Sequence, residues 1–246
     1  MKLSVVTAVL DSPEIVRRHI LHYRRMGFNP WEELEFIYVD DGSDPPLNTQ
    51  FDNCAGFTIY TTHIKTPWTQ PAARNLGVKR AKGEYVLCLD VDHFAPKETI
   101  DFLLSDHGYD IVRFRRQCGI LDENGYFTQD MDVMHEWGLL PDRGLGLPPH
   151  GNSYAFNRDL YLKLGGVSEQ YVGTGKYPNR EELPLKKKIK ELGDRIKILQ
   201  DQTKPLIYMF PNGQYCGSKD YNPFGLFHNT TRSIRVSRQR QKGAAR

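Results

Sequence analysis

Two carboxylates one residue apart, Asp90 and Asp92, emerge where the apolar run Tyr85-Val86-Leu87-Cys88-Leu89 stops. A short apolar run of this kind reads as a buried strand, which places the acid pair at a strand end. A second apolar run, Phe36-Ile37-Tyr38-Val39, leads into Asp40-Asp41-Gly42-Ser43 in the same way. Acid-bearing loops after two strands point to one ligand crevice at the carboxyl edge of an α/β sheet. Mg²⁺ and Mn²⁺ prefer oxygen ligands, so a metal with a nucleoside diphosphate is the economical occupant.

The flanking sequence alternates strand and helix. Leu3–Val9 is a β-branched run. Ser12-Pro13-Glu14 then offers an N-cap, a proline at the first helical position and an early acid. Ile15, Ile20, Leu21 and Met26 follow at near-helical spacing, and Gly27 closes the segment. Residues 34–39 and Phe57–Thr61 read as further strands. A helix over 70–83 is opened by Pro71 and ended by Gly83, immediately before the Tyr85 strand. This alternation implies βαβ units and a mostly parallel sheet flanked by helices. Beyond Asp92 the expected elements are a helix over 99–104, a strand over 111–114 and a hairpin-type turn at Glu123-Asn124-Gly125-Tyr126. A helix over Arg158–Leu164, a lysine-rich helix over 181–192 and short strands over 196–199 and Leu206–Met209 follow. Residues 141–151 and 172–178 read as glycine-containing loops.

Composition limits the alternatives. The chain has 246 residues, 39% of them hydrophobic, enough for one sizeable core. No stretch approaches the roughly 18 apolar residues of a membrane span. Residues 1–6 read as the start of the first core strand and not as a signal peptide, so a soluble, cytoplasmic protein is expected. Cys54, Cys88, Cys118 and Cys216 form no C-x-x-C, which indicates neither a zinc site nor a disulfide framework. The sequon Asn229-Thr230-Thr231 has no secretory signal to go with it. The net charge of +3 hides an asymmetry: Arg232, Arg235, Arg238, Arg240, Lys242 and Arg246 make the end of the chain basic, with no acid after residue 220. Such a tail reads as solvated, and it could also touch the phosphates of a nucleic acid or a membrane surface. The run Lys186-Lys187-Lys188-Ile189-Lys190 reads as a solvated helix face.

Four stretches in this order resemble the GT-A-fold glycosyltransferases of the large family 2 group. They are Ser4-Val5-Val6 followed by Tyr38-Val39-Asp40-Asp41-Gly42-Ser43; Ala73-Arg74-Asn75-Leu76-Gly77 through Leu89-Asp90-Val91-Asp92; Asn157-Arg158-Asp159 through Leu164-Gly165-Gly166; and Glu181-Glu182 opening a helix. The resemblance implies a single GT-A, Rossmann-like α/β domain over residues 1–228. Its nucleotide-binding half would cover about 1–95 and its acceptor half about 96–228, with a basic tail over 229–246. It also implies inverting transfer of a sugar from a nucleotide diphosphate donor, a UDP-sugar above all, to a hydroxyl acceptor.

The resemblance implies roles for individual residues. Asp41 would accept a hydrogen bond from the donor's base, as a carboxylate facing an imide N–H can. Asp90 and Asp92 look like the family's D-x-D motif, with Asp92 on a Mn²⁺ or Mg²⁺ ion and Asp90 on the ribose or a metal-bound water. Arg74 and Asn75 hold positions that often face the donor, and a guanidinium suits a diphosphate. Ala8 and Asp11 stand in the first donor-binding strand and loop, where Ala8-Val9-Leu10-Asp11 replaces the usual Pro-Thr-Tyr-Asn. His228 is the third metal ligand by this reading, with His93 the weaker alternative. Glu182 is the candidate general base. A glutamate replaces the usual aspartate there and Pro184 follows closely, so Glu181 remains the alternative. Trp68, Trp137 and His150 lie in loops that could shape the acceptor cleft.

The acceptor stays open between a glycan and a nucleic acid, such as a hydroxymethylated pyrimidine in phage-type DNA, which such an enzyme would reach as an extruded base. Two other classes compete. A nucleotidyltransferase also uses a nucleotide, a metal and an α/β sheet, but the Glu181-Glu182 element and the lack of a glycine-rich loop after the first strand argue against it. A non-catalytic nucleic-acid-binding module is opposed by the intact Asp90/Asp92 pair.

Overall fold

The computed structural model describes residues 1–28, 32–52, 56–64, 69–130, 146–147, 149, 151, 153–170, 172, 181–200 and 205–210. Strand β1 (Leu3–Val9) leads to helix α1 (Pro13–Arg25), β2 (Leu34–Asp40), β3 (Phe57–Thr61), α2 (Gln70–Arg80) and β4 (Tyr85–Leu89). After the acid pair come β5 (His93–Phe94), α3 (Lys97–Leu104), β6 (Ile111–Arg113), β7 (Arg115–Cys118), β8 (Ile120–Leu121), β9 (Phe127–Thr128) and β10 (Gly146–Leu147). The chain continues through β11 (Tyr154–Asn157), α4 (Arg158–Leu164), α5 (Leu183–Leu192), β12 (Ile198–Leu199) and β13 (Leu206–Met209).

Seven strands form the central sheet in the order β12-β6-β11-β4-β1-β2-β3. All neighbouring pairs are parallel except those of β11, which runs antiparallel between β4 and β6. The mostly parallel α/β sheet expected from the alternation is therefore present. Every residue of β1 and β2 is buried, as a parallel sheet covered on both faces requires. Because side chains alternate between faces, β1 sends Leu3, Val5 and Val9 into one core with α1 and α3, and Val6 and Ala8 into a second with α2, α4 and α5.

A second sheet, β10-β7-β13-β5, adjoins the first. Of its strands the sequence indicates only β13, at Leu206–Met209, and β11 of the first sheet also goes unread, because strands of two to four residues carry few alternations. The 111–114 strand ends at Arg113, and the chain resumes as β7 after Phe114. The Glu123–Tyr126 turn does join an antiparallel pair, β8 and β9. Among the described residues, no helix is long and apolar enough to cross a membrane.

Small residues set the depth at which α2 packs. A Cβ on Gly77 would stand 2.3 Å from Val6 Cγ1, and Ala73 is fully buried. The helix ends at Arg80, short of the expected Gly83, because Ala81 adopts extended dihedrals. Gly83 instead lies against β1. Its N–H donates to Ser4 Oγ at 2.8 Å, and that hydroxyl donates to the buried Glu35 at 2.6 Å. A Cβ there would stand 2.6 Å from Ser4 N and 2.7 Å from Leu3 C, both backbone atoms of a central strand. Gly83→Ala should therefore destabilise the fold by about 1–3 kcal/mol, read as a lower urea midpoint at unchanged slope.

Candidate active site

The carboxyl ends of β1, β2 and β4 meet at one edge, since Val9 is in register with Asp40 and Thr7 with Leu89. At β2 the two adjacent acids divide their work. Asp40 organises the loop: its Oδ1 accepts from Gly42 N at 3.1 Å and Ser43 N at 2.7 Å, and its Oδ2 from Leu47 N at 2.8 Å. Asp41 is buried beside it, with its N–H donated to Val9 O at 2.7 Å. The β1–α1 loop is stapled to the same place. Asp11 takes a positive φ of 45°, its N–H donates to Ser43 Oγ at 2.9 Å, and its Oδ1 accepts from Asp44 N at 2.8 Å. Ala8 is buried one residue before the strand end. Asp41, Ala8 and Asp11 thus cluster at the edge where a nucleoside is expected.

At β4 the acid pair lies where the chain passes from the first sheet to the second. Asp92 O accepts from Phe210 N at 2.8 Å, just past β13, and Asp90 O from His93 N at 2.9 Å, closing the turn. Asp90 Oδ1 accepts two side-chain hydrogen bonds, from Gln70 Nε2 and Arg74 Nη2, each 2.8 Å. Asp90, Asp92 and His93 bring one ligand atom each within 4.8 Å of one another.

Arg74 and Asn75 are both engaged within the protein. The Arg74 side chain is only 1% exposed, and its Nη2 pairs with Asp90 Oδ1. Asn75 engages both ends of its amide with the segment that follows α4. Its Nδ2 donates to Val167 O (2.9 Å) and Glu169 Oε1 (2.7 Å), and its Oδ1 accepts from Tyr161 Oη (2.8 Å) and Val167 N (3.2 Å). Gly166, at φ +67°, passes so close that a Cβ would stand 2.4 Å from Asn75 Oδ1. In this structure Asn75 is a clamp between α2 and α4.

The two glutamates also differ. Glu181 is buried, and burial raises its carboxyl above the usual range, with Glu182 and Asp90 adding to the rise and Arg74 opposing it. Glu182 stands at the entry to α5, where its Oε1 accepts from Lys186 Nζ at 2.9 Å. That side faces a cavity of about 100 Å³ lined by residues including Gly151, Tyr154 and Leu185. His228, His150, Trp68, Trp137 and the basic tail lie outside the described residues. Cys88 is an inert core thiol, pushed up to about 12 by burial. Gln70, which holds Asp90, had no sequence signal beyond its place at a helix start.

Acid-bearing loops at the carboxyl edge of a mostly parallel sheet define an α/β protein of the GT-A fold. The sequence profile of "Glycosyl transferase family 2" matches residues 4–156, and the chain belongs to this family. Two uncharacterized glycosyltransferases of Haemophilus influenzae are each 26% identical to it. One matches over 111 residues, 43% of either chain, and the other over 145 residues, 55% of this chain and 47% of the relative. The chain thus spans about half the length of the curated relatives it matches.

Solved structures with the same fold include S. aureus TarS 1-349 in complex with UDP-GlcNAc. It has a TM-score of 0.55 and 19% identity, covering 89% of this chain and 61% of that one. The mannosyltransferase PcManGT from Pyrobaculum calidifontis, in complex with GDP-Man and Mn²⁺, has a TM-score of 0.53 and 16% identity, covering 84% and 56%. At these identities the likeness concerns the fold.

The Arg74–Asp90 pair makes a testable demand on stability. Arg74→Met leaves Asp90 without its cation. Asp90 keeps 14% of its side-chain surface exposed, so the loss should fall short of the roughly 3–5 kcal/mol of a fully buried pair. A decrease of about 2 kcal/mol in unfolding free energy is expected.

Proposed function

We propose that the protein is a metal-dependent, inverting glycosyltransferase that moves a sugar from a UDP-sugar to a hydroxyl acceptor. The observation that carries this reading is the Asp90/Asp92 pair after β4, where Gln70 and Arg74 fix Asp90 and one ligand atom each of Asp90, Asp92 and His93 lie within 4.8 Å of one another. The buried Glu181 adds a carboxyl whose pKa is raised by burial. Family membership supports it, and so does the UDP-GlcNAc bound by TarS.

In this reading Asp41, Ala8 and Asp11 line the nucleoside end, with Asp41 accepting from the base. The two carboxylates fit a divalent cation, because Asp92 stands at the crevice edge and Asp90 is held in place by Gln70 and Arg74. Asp92 and Asp90 would hold Mn²⁺ or Mg²⁺, with His228 completing the set, and the ion would neutralise charge on the departing nucleoside diphosphate. The acceptor oxygen forms its bond to the anomeric carbon as the bond to the diphosphate oxygen breaks, which inverts the configuration. The acceptor's proton passes to a carboxylate.

We assign that base to Glu181 in preference to Glu182. Burial brings its pKa toward working pH, as a general base requires, whereas Glu182 is tied to Lys186. The nucleotide-binding half covers about 1–95 and the acceptor half about 96–228. A nucleic-acid acceptor bound through the basic tail over 229–246 would bind with steep salt dependence, and salt-insensitive association with DNA would remove it.

A thermal-shift screen of nucleotide sugars with and without Mn²⁺ tests the donor site, because a ligand of the native state raises the melting temperature. The expected result is a metal-dependent shift with UDP-sugars that Asp92→Ala abolishes. Release of UDP marks glycosyl transfer; release of pyrophosphate would instead mark a nucleotidyltransferase. Glu181→Gln should lower turnover by at least about 100-fold while the UDP-dependent shift is kept, and Glu182→Gln should cost far less. A base acts as the carboxylate, so kcat should fall as pH drops through the Glu181 pKa. Burial places that acidic limb above the ordinary carboxyl value near 4.5. Wild-type turnover with no such limb would move the base elsewhere.

A further inference from the structure

His93 follows the acid pair directly and carries the chain from β4 into the second sheet. Its side chain is only 2% exposed, and its two ring nitrogens face opposite charges. Nδ1 lies 2.8 Å from Asp92 Oδ1, an ion-pair distance. Nε2 lies 3.3 Å from Nη1 of Arg116. Arg116 comes from β7 and is itself buried, and the same Nη1 donates to Met209 Sδ at 3.3 Å. Met209 is in register with His93 on one side and Cys118 on the other, and Arg116 shares the face of Cys118 two residues away. The arginine therefore reaches the ring along one face of the second sheet.

An arginine has five N–H donors and no acceptor. The ring nitrogen that faces it must offer a lone pair, so the ring's single proton sits on the other nitrogen. That nitrogen is Nδ1, which faces Asp92. A nitrogen that carries a proton toward a carboxylate has no lone pair for a metal. From this geometry we infer that His93 is a positioning residue for Asp92, held in the Nδ1–H tautomer by Arg116, and is not a metal ligand, although it shares the Asp90–Asp92–His93 cluster. Asp92 is then supported from the second sheet as Asp90 is supported by Arg74 from α2. The inference rests on the role proposed above for Asp92 only in what the support is for; the tautomer itself is independent of any activity.

Long-range ¹H–¹⁵N correlation on the full chain with ¹⁵N-labelled histidine reads the tautomer directly. His93→Asn assigns the resonances, with His93→Gln as the substitute if that variant does not fold. The Nδ1–H pattern is expected for His93 without added metal, and Arg116→Met should lose it. Arg116→Met should also weaken Mn²⁺ binding roughly 10- to 100-fold by EPR titration, the range for groups that support metal ligands. His93→Asn, which keeps an N–H donor near the Nδ1 position, should bind Mn²⁺ more tightly than His93→Phe. An Nε2–H pattern in the wild type would overturn the inference. So would a ¹⁵N coupling to bound Mn²⁺ that disappears in His93→Asn. A wild type that binds no Mn²⁺ would remove the metal reading alone, with the tautomer measurement still deciding the role of His93.

Discussion

The ion pair between Arg74 and Asp90 joins the two halves of the edge on which everything else is arranged. A guanidinium with 1% of its side chain exposed is costly to desolvate, and a buried pair of this kind seldom adds net stability over an apolar replacement. What it adds is position. Arg74 is rigidly placed because α2 lies close on β1 through Ala73 and Gly77, and Asp90 is drawn to it at the end of β4. The carboxylate that opens the acid pair is thus fixed from the helix side, with Gln70 from the first turn of the same helix adding a second donor.

The surrounding contacts repeat this division of labour. Asp40 gathers three backbone N–H groups, which shapes the loop and leaves the neighbouring Asp41 buried at the strand edge. Asp11 donates its N–H to Ser43 Oγ and accepts from Asp44 N, which ties the first loop to the second. Asn75 clamps the α4 segment against α2, and only a glycine at position 166 allows that approach. At β2 the acid that holds the loop, Asp40, stands one position from the buried Asp41. Adjacent positions at a strand end point to different sides, so Asp40 and Asp41 can serve different tasks.

Much of the first 95 residues was legible in the sequence because the strands there are long and the punctuation is strong. Leu3–Val9, Phe57–Thr61 and the Tyr85 run appear where their apolar runs lie, and Pro13 and Pro71 mark the helix starts. Beyond Asp92 the strands shorten to two to four residues, and their identity depends on partners distant in the chain. β11 is a strand because β4 and β6 hold it from either side. Arg116 carried no signal, since an arginine in a short polar run looks solvated until the fold buries it.

The sequence by itself determined the α/β class, the two acid-bearing strand ends and the family, because these rest on local periodicity and on motifs within single segments. Tertiary structure alone decided the direction in which charged side chains face. It pairs Arg74 with Asp90, engages Asn75 with the α4 segment, and makes Glu181 the more buried of two adjacent acids. Burial and hydrogen-bond partners are set by residues 16 to 94 positions away, and no local pattern encodes which side of a helix end will be covered.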